Sequence, residues 1–147
     1  MSEQQGETPD DAVMTRIGQT VMLLHAGDRE EARNRFGELW QQIGECGPAL
    51  HRCTLAHYMA DTQDDPGDEL AWDLRALSAA RGLACEAAFH PALHLNLAAD
   101  YLKLQRLDAA RAHLDRARVA SAVLSDDPYG QGVRAAITRL EGLLAGD

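Results

Sequence analysis

Aromatic residues make up only 5% of the 147 residues, and Ala and Leu dominate in their place. That excludes an ordinary sheet protein, because strands favour β-branched and aromatic side chains while Ala and Leu lead the helix propensities. Cysteine is equally sparse. Cys46, Cys53 and Cys85 are odd in number and lack the paired spacing of a metal finger. No apolar run approaches the ~20 residues that a membrane span needs. The polar start MSEQQGETPDD does not read as a signal peptide, and free thiols then point to the reducing cytoplasm.

Positive charge is also short. Fourteen Lys and Arg against 23 Asp and Glu leave a net charge of −9, which a nucleic acid backbone would repel. Arg106, Arg111, Arg116 and Arg118 cluster, but Asp108 and Asp115 are interleaved, so a solvated helix face with local ion pairs is expected. No Gly-rich phosphate loop, nucleophile elbow or His-Glu-x-x-His helix occurs. Neither a catalytic group nor a cofactor is therefore expected.

What is present is helical periodicity. Residues 1–7 read as a frayed tail and 8–147 as one domain. Thr8-Pro9-Asp10-Asp11 opens a first helix carrying Met14, Ile17, Val21 and Met22, whose wide apolar spread suits self-association. Gly27 ends it, and Asp28 with Glu31 is expected to cap the second, where Ala32, Phe36, Leu39 and Ile43 form the buried stripe. Pro48 opens a third helix. The acidic turn Asp61–Glu69 lacks calcium-loop spacing and reads as a solvated turn plus helix cap before Leu70, Leu74 and Leu77. Residues 83–89 fit either helix or connector. Pro91 is expected to start the fifth helix and to push His90 out of helical geometry. Leu107, Ala110, Leu114 and Ala117 mark a sixth helix. Asp127-Pro128 opens a seventh, with Val133, Ile137 and Leu140 inward and Arg134, Arg139 and Glu141 outward.

Pro9, Pro48, Pro91 and Pro128 recur at 39, 43 and 37 residues, a period of stacked helix pairs. Pro48-Ala49-Leu50-His51 returns as Pro91-Ala92-Leu93-His94. Asn96-Leu97-Ala98-x-x-Tyr101, followed by Ala110, Leu114 and Ala117, resembles a tetratricopeptide repeat. Gln105 stands where that family's turn usually has glycine, and His94 where it prefers Trp or Leu. The resemblance implies an all-α fold of about seven antiparallel helices: three stacked hairpins in a right-handed solenoid, closed by a capping helix. It implies a scaffold that binds a protein or peptide on its concave face. Carried over by register, that face would present Arg52, Cys53, Ala56, Met59, Leu95, Asn96, Ala99, Leu102 and Lys103. Neither a nucleic acid nor a membrane is expected as partner; a homo-oligomer is allowed.

The histidines supply the competing reading, a metal-dependent or small-molecule sensor or enzyme at the seam of the third and fifth helices. Cys53 and His57 lie four apart on one helix face, and with His94 they form the metal candidate that the spacing allows. The ordinary role for His51 and His94 is packing between helices with local hydrogen bonds.

Overall fold

The computed structural model describes residues 9–44, 47–83 and 86–146, with side chains from residue 12 in the first stretch and from residue 87 in the third. The expected tail, Thr8, Cys46 and Cys85 lie outside the described residues. Among those described there are seven α-helices and no strand: α1 Pro9–His25, α2 Arg29–Ile43, α3 Ala49–Asp61, α4 Pro66–Ala80, α5 Glu86–Lys103, α6 Leu107–Ala120 and α7 Pro128–Ala145. A short 3₁₀ turn, Ser121–Val123, follows α6.

The helix starts show which local signals act. Asp65 accepts from the Asp68 amide, and Asp127 accepts from the Gly130 amide at 2.8 Å, each just before a first-turn proline. Asp28 stands at the N-cap of α2 but makes no side-chain cap bond, and Glu31 pairs instead with Arg35 at 2.8 Å. The capping box expected there is absent.

Pro91 corrects a second expectation. It lies inside α5, which begins at Glu86 and carries His90 as a helical residue. The first four amides of any helix lack an intrahelical acceptor, so a proline in sixth place removes only the bond to the Ala87 carbonyl. Its ring is buried in return.

Adjacent helices pack together, most extensively α3 with α4 and α5 with α6. Ile17, Phe36, Leu39, Leu55 and Met59 join α1, α2 and α3 in one cluster, with Val13, Met14 and Val21 against it. A second, built on Ala56, Ala76, Ala80, Leu93 and Leu97, joins α3, α4 and α5. The third joins α5, α6 and α7 through Ala98, Ala110, Leu114, Val133 and Ile137. Both α3 and α5 are therefore buried on two sides. Each fully buried large apolar side chain contributes roughly 1.5–3 kcal/mol. Trp40 and Trp72 meet edge to face at 5.0 Å between α2 and α4, and the Arg75 guanidinium lies 4.3 Å from the Trp72 ring.

Between α5 and α6 the chain turns through Gln105, whose φ of 59° is left-handed. A side chain there costs about 1–2 kcal/mol that glycine avoids. Gln105→Gly is expected to raise the melting midpoint by about 2–4 °C; an unchanged or lower midpoint in calorimetry would deny the strain.

Arg134 and Glu141, expected to face outward from α7, bond back to α6 and the turn after it. Arg134 donates to the carbonyls of Leu124 at 2.6 Å and Ser121 at 3.1 Å, and Glu141 accepts from Arg118 at 2.6 and 3.2 Å. The acidic turn is clasped similarly. Arg29 and Arg33 of α2 both pair with Asp64, and Arg33 also donates to the Thr62 carbonyl at 3.0 Å. Those guanidiniums hold the Asp64 carboxyl below its ordinary range, through hydrogen bonding first and charge second.

Candidate functional site

Burial of α5 against α4 on one side and against α6 and α7 on the other leaves a narrow strip of it facing α3. Phe89, Ala92 and Asn96 lie on that strip at helical spacing. Opposite them α3 presents Cys53, Thr54, His57 and Tyr58, and Tyr129 reaches in from the start of α7. All of these side chains but Asn96 line a largely apolar cleft of about 220 Å³, bounded also by Leu93. Tyr129 stays 58% exposed at its mouth.

At its polar end, Asn96 donates its amide to His57 Nδ1 at 3.1 Å, which places the His57 proton on Nε2. Burial lowers the His57 pKa, with Asp61 opposing, so the ring is neutral at physiological pH. It also packs edge-on against Tyr58 at 4.9 Å.

Beside the cleft, α4 and α5 bring three carboxylates together. Glu69 and Asp73 lie one turn apart on α4, Asp100 faces them from α5, and one oxygen of each falls within 4.8 Å of the others. Asp73 is 3% exposed and Asp100 1%. Asp73 Oδ1 and Asp100 Oδ2 have no hydrogen-bond partner among the described residues. Lys103 Nζ donates to Glu69 Oε1 at 2.8 Å. Burial first, then Asp100, Asp61 and Glu69, push the Asp73 pKa up to about 10. Burial likewise raises Asp100. Without a counter-ion the pair shares a proton at neutral pH, as two close carboxylates in a dry site must.

The residues expected to line one groove are separated. Arg52 donates to the Gly47 carbonyl at 2.8 Å and borders a different hollow, with Trp40, Arg75, Ser78 and Ala79. Ala56 and Met59 are enclosed in the core at 0% and 4% exposure. Leu95 and Leu102 pack toward α6 and α7, and Ala99 is half-buried. Asn96 and Cys53 alone of that set border the cleft or bond at its edge, and Lys103 holds Glu69. The self-association face of α1 is mostly consumed internally: Ile17 is buried, and Met22 remains 71% exposed.

Cys53, His57 and His94 do not converge. His94 lies toward α6, where its Nδ1 is 3.0 Å from His113 Nδ1 and its ring stacks on His113, which stacks in turn on Tyr101. Burial and then His113 lower the His94 pKa to about 4. This is the packing role expected of it. His51 is also buried between helices, and its Nδ1 has no hydrogen-bond partner among the described residues.

Sequence reasoning missed Asp73 and Asp100. A signal existed: Leu70, Asp73 and Leu77, like Leu93, Leu97, Asp100 and Leu104, follow three-four spacing with a carboxylate inside the apolar stripe. Among the described residues, no helix is long and apolar enough to cross a membrane. In comparison with known proteins, the chain matches no family model, no curated protein and no solved structure.

Proposed function

We propose that the chain is a protein-binding scaffold of tetratricopeptide type, three stacked hairpins with α7 as the cap, which seats a partner segment in the cleft between α3 and α5. The observation that carries this reading is the cleft itself. It is an open, mainly apolar hollow on two helices that share one side of the molecule, with a polar end at His57 and Asn96. The repeat reading draws support from Ala98, Ala110 and Ala117, buried where small residues are required, and from the left-handed turn at Gln105. One apolar anchor of the partner, a Leu or Phe, fills the hollow. The net charge of −9 favours a partner with basic residues flanking that anchor.

Peptides selected from a random display library against the purified protein are expected to share such an anchor. Thr54→Trp, which fills the hollow, should weaken them ten- to hundredfold, the equivalent of burying one apolar side chain at about 1.5–3 kcal/mol. The variant's melting curve serves as the control for folding. Undiminished binding by a folded Thr54→Trp protein would place recognition elsewhere.

A further inference from the structure

We infer that Glu69, Asp73 and Asp100 form a binding site for one hard divalent cation of the Mg²⁺ or Mn²⁺ class. The inference is independent of the peptide-binding reading, since the carboxylates lie beside the cleft and not in its walls.

Geometry comes first. Glu69 and Asp73 project from one face of α4 at adjacent turns, and Asp100 meets them from α5. Three oxygens no more than 4.8 Å apart can surround a single ion after sub-ångström side-chain shifts, at the ~2.0–2.1 Å reach of a Mg²⁺–oxygen bond. The ligands stand on helices, so their spacing is held by the backbone.

Charge is the second consideration. Asp73 and Asp100 are almost wholly enclosed, yet each keeps a buried oxygen without a hydrogen-bond partner among the described residues. Buried carboxylates are ordinarily paired with a cation or held by several donors. The one cation close by, the Lys103 ammonium, bonds to Glu69 and leaves the Asp73–Asp100 pair to share a proton between themselves when no metal is bound. Three carboxylates carry −3; a divalent ion and the Lys103 ammonium together carry +3. Empty, the site offsets its charge by holding a proton on the Asp73–Asp100 pair; a divalent ion would displace that proton and leave the cluster neutral.

Ligand type selects the ion. All three ligands are carboxylate oxygens, which favour hard cations over zinc or copper. Calcium takes six to eight oxygens, typically from a flexible loop, whereas this site offers three on rigid helices. A small six-coordinate ion that retains water in its remaining positions fits better. Occupancy would tie α4 to α5 beneath the Asn96 end of the cleft.

The test is Mn²⁺ titration of protein stripped with a chelator, followed by electron paramagnetic resonance of free Mn²⁺ and by the melting midpoint. Wild-type protein is expected to take up one Mn²⁺ per chain, with a rise in midpoint and displacement by excess Mg²⁺. Asp100→Asn and Glu69→Gln should each weaken binding at least tenfold. Glu69 is at the rim, so its variant decides the matter if Asp100→Asn fails to fold. No uptake at millimolar Mn²⁺ would overturn the site. So would uptake that the folded Glu69→Gln variant leaves unchanged, which would assign the ion to surface acids.

Discussion

A chain ending at residue 127 is expected to lose its cooperative melt and to aggregate. α7 buries Val133, Ile137 and Leu144 at 8%, 0% and 5% exposure, against Ala110, Leu114 and Ala117 of α6. At roughly 1.5–3 kcal/mol for each of the three α7 side chains, their loss removes about 5–9 kcal/mol, comparable with the whole stability of a domain at ~5–15 kcal/mol. The truncation also strips the last carbonyls of the α6 region of Arg134, and Arg118 of Glu141. Size-exclusion chromatography and calorimetry read both effects. A soluble monomer with one sharp transition would show that α7 is dispensable as a cap.

Metal-free protein is expected to become less stable as pH rises above 7. The folded state holds the Asp73 proton to about pH 10, whereas the unfolded chain releases it near the ordinary value of 3.8. The folded state therefore binds the extra proton, and stability falls as pH rises, by on the order of 1 kcal/mol per pH unit around neutrality. Asp100 and Lys103 from α5, Glu69 from α4 and Asp61 from α3 act on this proton, and His57 acts in turn on Asp61. The histidines act with opposite sign in a lower window. His57, His94 and His113 have lowered pKa values, so their contribution is lost as pH falls below 6.5. Above that, the carboxylate pair dominates. Asp100→Asn should flatten the slope between pH 7 and 8.5, because the asparagine amide can donate to Asp73. Urea titrations at several pH values measure it; equal slopes in the two proteins would mean that the pair is not the source.

Helix content was legible because Phe36, Leu39, Ala110, Leu114, Val133 and Ile137 recur at three-four spacing and are all buried. The start of α5 was not. Proline was read as an opening residue, but one turn of unpaired amides upstream tolerates it, and the apolar gain from burying Pro91 favours the longer helix. The cleft was half legible. Leu93 and Leu97 on one side of α5 and Leu95 and Leu102 on the opposite side make it apolar on two faces, so periodicity cannot say which strip between them faces outward. Packing against α4, α6 and α7 decides it, and selects Phe89, Ala92 and Asn96. The carboxylate cluster escaped because a charged side chain counts as surface in any pattern reading. Only the approach of α4 to α5 shows Asp73 and Asp100 facing each other in the interior.

Amide hydrogen exchange of the protein with and without a selected peptide locates recognition in one measurement. Protection is predicted at residues 52–58, 88–97 and 128–131, the three segments that meet around the hollow. Protection confined to other helices, with these segments exchanging as in the free protein, would contradict a binding site between α3 and α5.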